Sequence, residues 1–492
     1  MMKLGELLEH YQVKQIKGTT DIEVTALTED SRQVRPGSVF FAIKGEAMDG
    51  NRFVPDAIHA GAVAVVTENE PIEQNVTIIQ VDEVLDALSY MADRFYGHPS
   101  GRLSLTGITG TNGKTTTAFL IYQMLCMLGK KTGLIGTIRY LIGERTYPAR
   151  LTTPSASEFQ RLLSEMVKEE VEFAISEVSS HALSQKRVDY TEFQLGVFTN
   201  LSHDHLDYHG NIENYYSAKE RLFNEFDLKG AVINLDDPYG KRLFELCRTK
   251  GIDVITYGLS EGATLQAKEI DVTERGTSFV LQCDEGLHGV KSSLLGIANV
   301  YNLLSAMATM KALGFGIDRI LPLVHSLKPA EGRMEMVDEG QPFTVLVDYA
   351  HTPDALKKLL ETVRGFSAKR VITLFGCGGN RDREKRALMG GIATELSDFV
   401  FITSDNPRYE EPERIIEDIL GGVSSDNYEV VVDRAEAIKR AVSICEEDDV
   451  LVVAGKGHED YQEIKGKRIP FDDREQIRRA LRERAERVAS DA

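Results

Sequence analysis

Apolar and polar positions alternate along the chain in a repeating way: a short apolar run closed by glycine or a polar cluster, then a longer stretch of helical periodicity. Runs of the first kind read as strands buried on both faces, and the longer stretches as amphipathic helices packed on them. Residues 38–43, 62–66 and 76–81 supply three such runs before His98-Pro99-Ser100-Gly101, a segment of linker composition. That predicts a small α/β domain over 1–98. From Leu103 to about Pro329, strand candidates at 171–176, 195–201, 231–235 and 254–257 alternate with helices, as in a doubly wound parallel sheet, giving a central domain over 99–330. The pattern restarts around Gly332-Arg333-Met334-Glu335, and runs at 344–347, 371–375, 399–403 and 450–453 predict a C-terminal Rossmann-like α/β domain over 331–492. The predicted fold class is α/β in three domains, in keeping with 492 residues at ~150 per domain.

Chemistry enters first at Gly107-Ile108-Thr109-Gly110-Thr111-Asn112-Gly113-Lys114-Thr115-Thr116, which follows an apolar run and precedes a helix. A glycine-rich turn at a helix start points successive backbone N–H groups at an anion, so Gly110, Thr111, Asn112, Gly113, Lys114, Thr115 and Thr116 are nucleotide-phosphate candidates. Lys114 adds a point charge for the β/γ-phosphates and the Thr115 hydroxyl is placed to ligate Mg²⁺. The glycines at 107 and 110 depart from the general G-x-x-x-x-G-K spacing, which wants glycine at Ile108. Glu177, just past the run Phe173-Ala174-Ile175-Ser176, offers a carboxylate to the same hard ion. The segment Thr199-Asn200-Leu201-Ser202-His203-Asp204-His205-Leu206-Asp207-Tyr208-His209 is dense in metal-competent side chains and reads either as a zinc site or as part of a Mg²⁺ site. Lys219 stands on an apolar-faced helix, where a lone lysine is ordinarily solvated. Asn299 and Asn302, three apart, present two amides on one helix face, suited to an adenine edge.

Each C-terminal run ends in a polar motif: Asp348-Tyr349-Ala350-His351, Gly376-Cys377-Gly378-Gly379-Asn380-Arg381, Ser404-Asp405-Asn406-Pro407-Arg408 and Ala454-Gly455-Lys456-Gly457-His458-Glu459. Ligands bind outside the carboxyl ends of strands in open parallel sheets, so the four motifs predict one site.

Composition narrows the partners. A net charge of −19 and a pI near 5.2 exclude a general affinity for nucleic acid or anionic lipid, which needs a basic surface. No apolar run reaches the ~20 residues of a membrane span, and Glu6, Glu9 and His10 interrupt any signal-like start; a cytoplasmic location is expected. Five scattered cysteines without a C-x-x-C pair suggest neither a disulfide framework nor a zinc site.

Taken across the whole chain, these motifs resemble the Mur ligase family, and the phosphate loop also resembles its relative folylpolyglutamate synthetase. The resemblance implies ATP and Mg²⁺, an acyl-phosphate intermediate and a peptidoglycan precursor as substrate. On it, Ser31 in Asp30-Ser31-Arg32 contacts a uridine diphosphate. Thr152, Thr153, Ser179, Gln185 and Arg187 contact the muramoyl peptide, and Asn302, Arg333 and Asp348 the nucleotide. Lys114, Glu177, His205 and Lys219 form the catalytic set. Thr115 and Glu177 hold one Mg²⁺; His205 and Lys219 hold a second, the lysine as a carbamate. The acceptor amino acid falls to Arg381, Asp405, Asn406, Pro407, Arg408, Gly455 and Glu459. Because Arg408 and Arg381 suit a distal carboxylate bidentately and Glu459 a distal ammonium, the expected substrates are UDP-N-acetylmuramoyl-L-alanyl-D-glutamate and meso-diaminopimelate, with L-lysine the alternative acceptor. The family commonly has other residues at Ala298 and Glu331. A monomer is expected. From a different class, a P-loop switch ATPase would hydrolyse ATP without an acceptor and leave the C-terminal motifs unused.

Overall fold

A computed structural model of the chain describes residues 2–45, 48–70, 75–367 and 369–491, with side chains to residue 487. The chain divides into two compact units, residues 1–263 with 305–315, and residues 264–304 with 316–492.

The first unit holds two principal sheets. Strands Gln15–Lys17, Thr77–Gln80, Ala62–Thr67, Ser38–Phe41 and Ala26–Thr28 lie in that order, parallel except for the first. Alternate residues face opposite sides of a strand, so Val39 and Phe41 pack with the helix Val84–Phe95 while Phe40 packs toward Ala57. The second sheet runs Arg145–Pro148, Arg139–Ile142, Thr132–Ile135, Phe173–Glu177, Ser104–Thr109, Leu195–Phe198, Gly230–Asn234, Asp253–Gly258. Its first two strands form an antiparallel hairpin edge and the other six are parallel. Helix Lys114–Met127 follows the strand Ser104–Thr109, which the parallel pairing places between Phe173–Glu177 and Leu195–Phe198.

In the second unit, Glu335–Met336, Thr344–Asp348, Val450–Ala454, Val371–Phe375, Phe399–Ile402 and Tyr428–Val430 form a six-stranded sheet in that order, parallel after the first pair. Apolar clusters cover both faces, one around Leu360 and Met389, the other around Ile438 and Ile477. This doubly covered sheet explains why its strands read as unbroken apolar runs. The unit also carries three antiparallel strands, Leu265–Thr273, Gly276–Cys283 and Gly286–Ser292, which the apolar-run reading did not single out. Their alternation of exposed and buried positions follows from one solvated face. Among the described residues no helix is long and apolar enough to cross a membrane.

Candidate active site

The loop after Ser104–Thr109 turns through two glycines in left-handed backbone, Gly110 at φ +142° and Gly113 at φ +86°. A Cβ at Gly110 would stand 1.9 Å from Thr199 Oγ1, so a side chain has no room there. The loop is scaffolded by the end of the neighbouring strand. Thr111 N–H donates to the Asn200 carbonyl at 2.7 Å and Asn112 N–H to Asn200 Oδ1 at 3.0 Å. The Thr199 hydroxyl donates to the Asn112 carbonyl at 2.7 Å, and Ser202 N–H to Thr111 Oγ1 at 3.0 Å. The N–H groups of Thr111 and Asn112 are thus engaged within the scaffold, and the first-turn N–H groups of helix Lys114–Met127, including those of Thr115 and Thr116, remain the anion donors. Lys114 Nζ folds back onto the carbonyls of Gly110 and Thr111 at 2.8 and 2.9 Å.

Glu177, only 1% exposed, joins this loop to the next strand ends. Its carboxylate accepts from Thr115 Oγ1 at 2.8 Å, from Thr137 N–H at 2.8 Å and from Thr137 Oγ1 at 3.0 Å. A hydroxyl and a carboxylate side by side at a phosphate loop fit Mg²⁺, a hard ion that takes one or two carboxylates and keeps several waters. The network continues into residues expected at the peptide. Thr152 Oγ1 meets Thr137 Oγ1 at 3.1 Å; Thr153 Oγ1 donates to the Glu177 carbonyl at 2.8 Å and accepts from Ser179 N–H at 3.1 Å. Arg187 Nη1 donates to the Thr153 carbonyl at 2.9 Å, and its Nε and Nη2 converge on Gln185 Oε1 at 3.1 and 2.6 Å. Ser31 lies on the turn Ser31–Gln33; nearby Glu29 accepts from the Ser157 hydroxyl at 3.2 Å, tying that turn to the segment just beyond Thr153.

His205 and Lys219 come together around Tyr215. The His205 ring lies 6.3 Å from the Tyr215 ring and 4.8 Å from that of His181, and Lys219 Nζ sits 4.3 Å from the Tyr215 ring centre. The Tyr215 hydroxyl meets Thr111 Oγ1 at 3.2 Å, so this group adjoins the phosphate loop. Lys219 is 1% exposed and donates to the Gly110 carbonyl at 2.8 Å, the acceptor Lys114 also uses. Burial first, and the Lys114 charge second, push the Lys219 ammonium well below its ordinary range. Burial, helped by His205 and His209, takes His181 down to about 4. Among the described residues no three His, Cys, Asp or Glu side chains gather as a metal cluster. His209 instead bonds Ser180 Oγ through Nε2 at 3.0 Å.

The second unit presents two groups. In one, Asp348 accepts from Met334 N–H at 2.7 Å and Ala350 N–H at 2.8 Å; burial raises its pKa, opposed by Arg333. The Arg333 guanidinium lies 4.8 Å from the Tyr349 ring centre, and its Nε is buried with no hydrogen-bond partner, an orphan donor that fits an anionic ligand. Asn302 and Asn299, both buried, bond each other at 3.0 Å. In the other group, Asn406 Nδ2 donates to Glu459 Oε2 at 2.7 Å, and Lys456, whose side chain is wholly buried, places Nζ 3.2 Å from Asn406 Oδ1 and 3.3 Å from Glu459 Oε2. Asp405 packs against Gly455, where a Cβ would stand 2.8 Å from Asp405 Oδ2. Burial, then the Asp405 charge, raise Glu459, with Lys456 opposing. Arg408 donates to the Gly379 carbonyl at 2.9 Å and lies 3.4 Å from Glu463 Oε2. Arg381 is exposed, on the loop that carries Gly379. Pro407 brings its carbonyl against Gly379, 2.0 Å from where a Cβ would be.

Thr137 and Glu463 lay outside every motif the sequence reading singled out, while Asn200, Tyr215 and Lys456 lay within such segments without a role of their own. Thr137 follows the strand Thr132–Ile135, and the strand-end rule used for the C-terminal motifs would have found it.

A glycine loop at a strand–helix junction, backed by a buried carboxylate on the adjacent parallel strand, defines a P-loop nucleotide-dependent enzyme. Residues 23–96 match the Mur ligase family catalytic domain, 108–310 the Mur ligase middle domain and 332–457 the Mur ligase glutamate ligase domain. A UDP-N-acetylmuramoyl-L-alanyl-D-glutamate–2,6-diaminopimelate ligase of Geobacillus thermodenitrificans is 45% identical over 98% of this chain and 100% of its own length. One of the same name from Clostridium acetobutylicum is 43% identical over 98% of this chain and 100% of its own length. A solved structure of a ligase of that name superposes with a TM-score of 0.71 at 33% identity, covering 98% of this chain and 99% of the other. A MurF ligase from Thermotoga maritima in complex with ADP shares the fold at a TM-score of 0.63 and 21% identity, over 94% of this chain and 99% of its own. The chain belongs to the Mur ligase family, whose members are ATP-dependent, ADP-forming ligases.

Proposed function

We propose that this enzyme joins meso-diaminopimelate to the D-glutamyl carboxylate of UDP-N-acetylmuramoyl-L-alanyl-D-glutamate, a cytoplasmic step of peptidoglycan synthesis, acting as a monomer. The observation that carries the reading is the 45% identity to a ligase of that name across its entire length. In the reaction a carboxylate oxygen attacks the γ-phosphorus of ATP, ADP leaves, and an acyl phosphate forms. The acceptor amine then attacks the acyl carbon, loses a proton, and phosphate leaves.

The chain's own groups have separable tasks. Lys114 and the helix start after Gly113 bind the β/γ-phosphates and oppose their charge. Thr115 and Glu177 would hold one Mg²⁺, and His205 with Lys219 as its carbamate a second; the ions supply charge neutralisation between the phosphoryl group and the acceptor carboxylate. Carbamylation needs the neutral amine, the form that burial of Lys219 favours. Ser31, Thr152, Thr153, Ser179, Gln185 and Arg187 orient the nucleotide-linked peptide. Asn302, Arg333 and Asp348 contact the nucleotide. Asp405, Asn406, Pro407, Gly455 and Glu459 hold the amino-acid end of the acceptor, and Arg381 with Arg408 its distal carboxylate. The three family segments support domains over 1–98, 99–330 and 331–492.

Hydroxylamine trapping tests the chemistry. With ATP, Mg²⁺ and the UDP-linked dipeptide but no amine, hydroxylamine is expected to yield the glutamyl hydroxamate. Phosphate release that ignores the dipeptide and leaves no hydroxamate would overturn the ligase reading in favour of a switch ATPase.

A further inference from the structure

The loops that carry Arg381 and Arg408 leave neighbouring strand ends, Val371–Phe375 and Phe399–Ile402. They touch at backbone level: Gly379 N–H donates to the Asn406 carbonyl at 2.9 Å, and the Gly379 carbonyl accepts from Arg408 Nη1 at 2.9 Å. Two residues past Arg408, Glu410 turns back toward the other loop. Its Oε1 accepts from Asn380 N–H at 2.5 Å, next to Arg381, and its Oε2 from Arg383 Nη2 at 3.1 Å. Asn380, at φ +52°, answers by accepting from Tyr409 N–H through Oδ1 at 3.0 Å. Behind them Arg386, fully buried on helix Glu384–Leu396, grips Glu410 bidentately at 2.9 and 3.0 Å. Its Nη1 also reaches Asp418 Oδ2 at 2.8 Å, and its Nη2 the Gly378 carbonyl at 3.3 Å.

We infer that Glu410, anchored by Arg386, is a positioning residue for acceptor specificity: it buckles the Arg381 loop to the Arg408 loop. The inference rests on the reading that those two arginines take the acceptor's distal carboxylate. Neither Glu410 nor Arg386 needs to touch the acceptor. One carboxylate bonds the backbone beside Arg381 while its own backbone continues from Arg408, so the spacing of the two guanidinium groups follows from it. A planar carboxylate is recognised bidentately only when its donors stand at the right separation, and a misplacement of an ångström is enough to weaken binding strongly. Asp418 shares Arg386 but, among the described residues, bonds neither arginine loop, which separates positioning from plain stability.

The test measures kcat and KM for meso-diaminopimelate and for L-lysine, with KM for ATP and the melting temperature, in the full-length enzyme and in E410Q, N380G, D418N and R408M. E410Q is expected to raise KM for diaminopimelate about tenfold, to narrow the preference over lysine by a similar factor, and to leave kcat and KM for ATP within about twofold. N380G removes only the bond to Tyr409 at an exposed left-handed position that glycine adopts readily, and is expected to shift KM and preference in the same direction by less. It decides the matter alone if E410Q does not fold. D418N is expected to lower the melting temperature and leave the preference unchanged. A wild-type KM and preference in E410Q and N380G, or an equal shift in D418N, overturns the inference. If R408M leaves KM for diaminopimelate unchanged, the assignment of the arginines falls; if R408M moves it and E410Q does not, the buckle alone falls.

Discussion

Lys219 and Lys114 converge on one carbonyl, that of Gly110, at 2.8 Å each. A second ammonium beside Lys114 on one acceptor would be repelled, and a carbamate on Lys219 would replace that repulsion with attraction for a metal. K219R keeps a cation that cannot carbamylate, so turnover is expected to fall by at least about 10²-fold while ADP binding, followed by calorimetry, survives. Labelled bicarbonate is expected to give a carbamate ¹³C resonance in the native enzyme and none in K219R; full activity in K219R would refute the assignment. At Glu410 the hydrogen bonds to Arg386 hold the carboxyl at about 2, down from 4.5 and against burial. Its folded pKa is depressed, so its stabilising contribution is complete above about pH 4.5 and is lost as pH falls toward 2. The melting temperature of E410Q is therefore expected to depend less on pH across that window than the native enzyme's; parallel curves would contradict it. The pairing of Thr115 with Glu177 was legible because a phosphate loop and a strand-end carboxylate each announce oxygen chemistry. Thr137 was not, because the strand before it, Thr132–Ile135, was not itself singled out. Nor was Glu463 beside Arg408, far along the chain, at 3.4 Å. With that carboxylate beside it, Arg408 would not be left alone if lysine took the proposed acceptor site, so the penalty for lysine would be smaller than for an unpaired buried arginine.

At the level of elements, the phosphate loop depends on the end of the neighbouring strand as much as on its own glycines. G110A places a Cβ against Thr199 Oγ1, 1.9 Å away, at φ +142°. Backbone strain alone is expected to remove about 1–3 kcal/mol of stability and to displace the loop, with ADP affinity falling at least about tenfold by calorimetry. Native affinity in G110A would contradict the scaffold described for the loop. Most of the parallel strands of both units were readable in advance because burial on two faces makes them continuous apolar runs; Ala26–Thr28, Thr132–Ile135 and Tyr428–Val430 were not singled out. The antiparallel strands between 265 and 292 were not, because one solvated face interrupts each run with polar residues such as Lys268 and Asp271.

Over the whole molecule, three matched family segments sit on two compact units, because the chain leaves the first unit at residue 263, returns over 305–315, and leaves again. Phe315, in the returning stretch, packs its ring 5.9 Å from Phe173, a contact with no local sequence signal. A sequence-based boundary near 330 marks where the strand pattern restarts, which is a different property from where contacts thin out. The central claim is an ATP-dependent ligation that requires a diamino acid with a distal carboxylate. Phosphate release with ATP, Mg²⁺ and UDP-N-acetylmuramoyl-L-alanyl-D-glutamate, with meso-diaminopimelate or L-lysine as acceptor, tests it most directly. Release that depends on diaminopimelate, with lysine at least about tenfold less effective in kcat/KM, is the predicted result; equal use of lysine, or release indifferent to either amine, would contradict it.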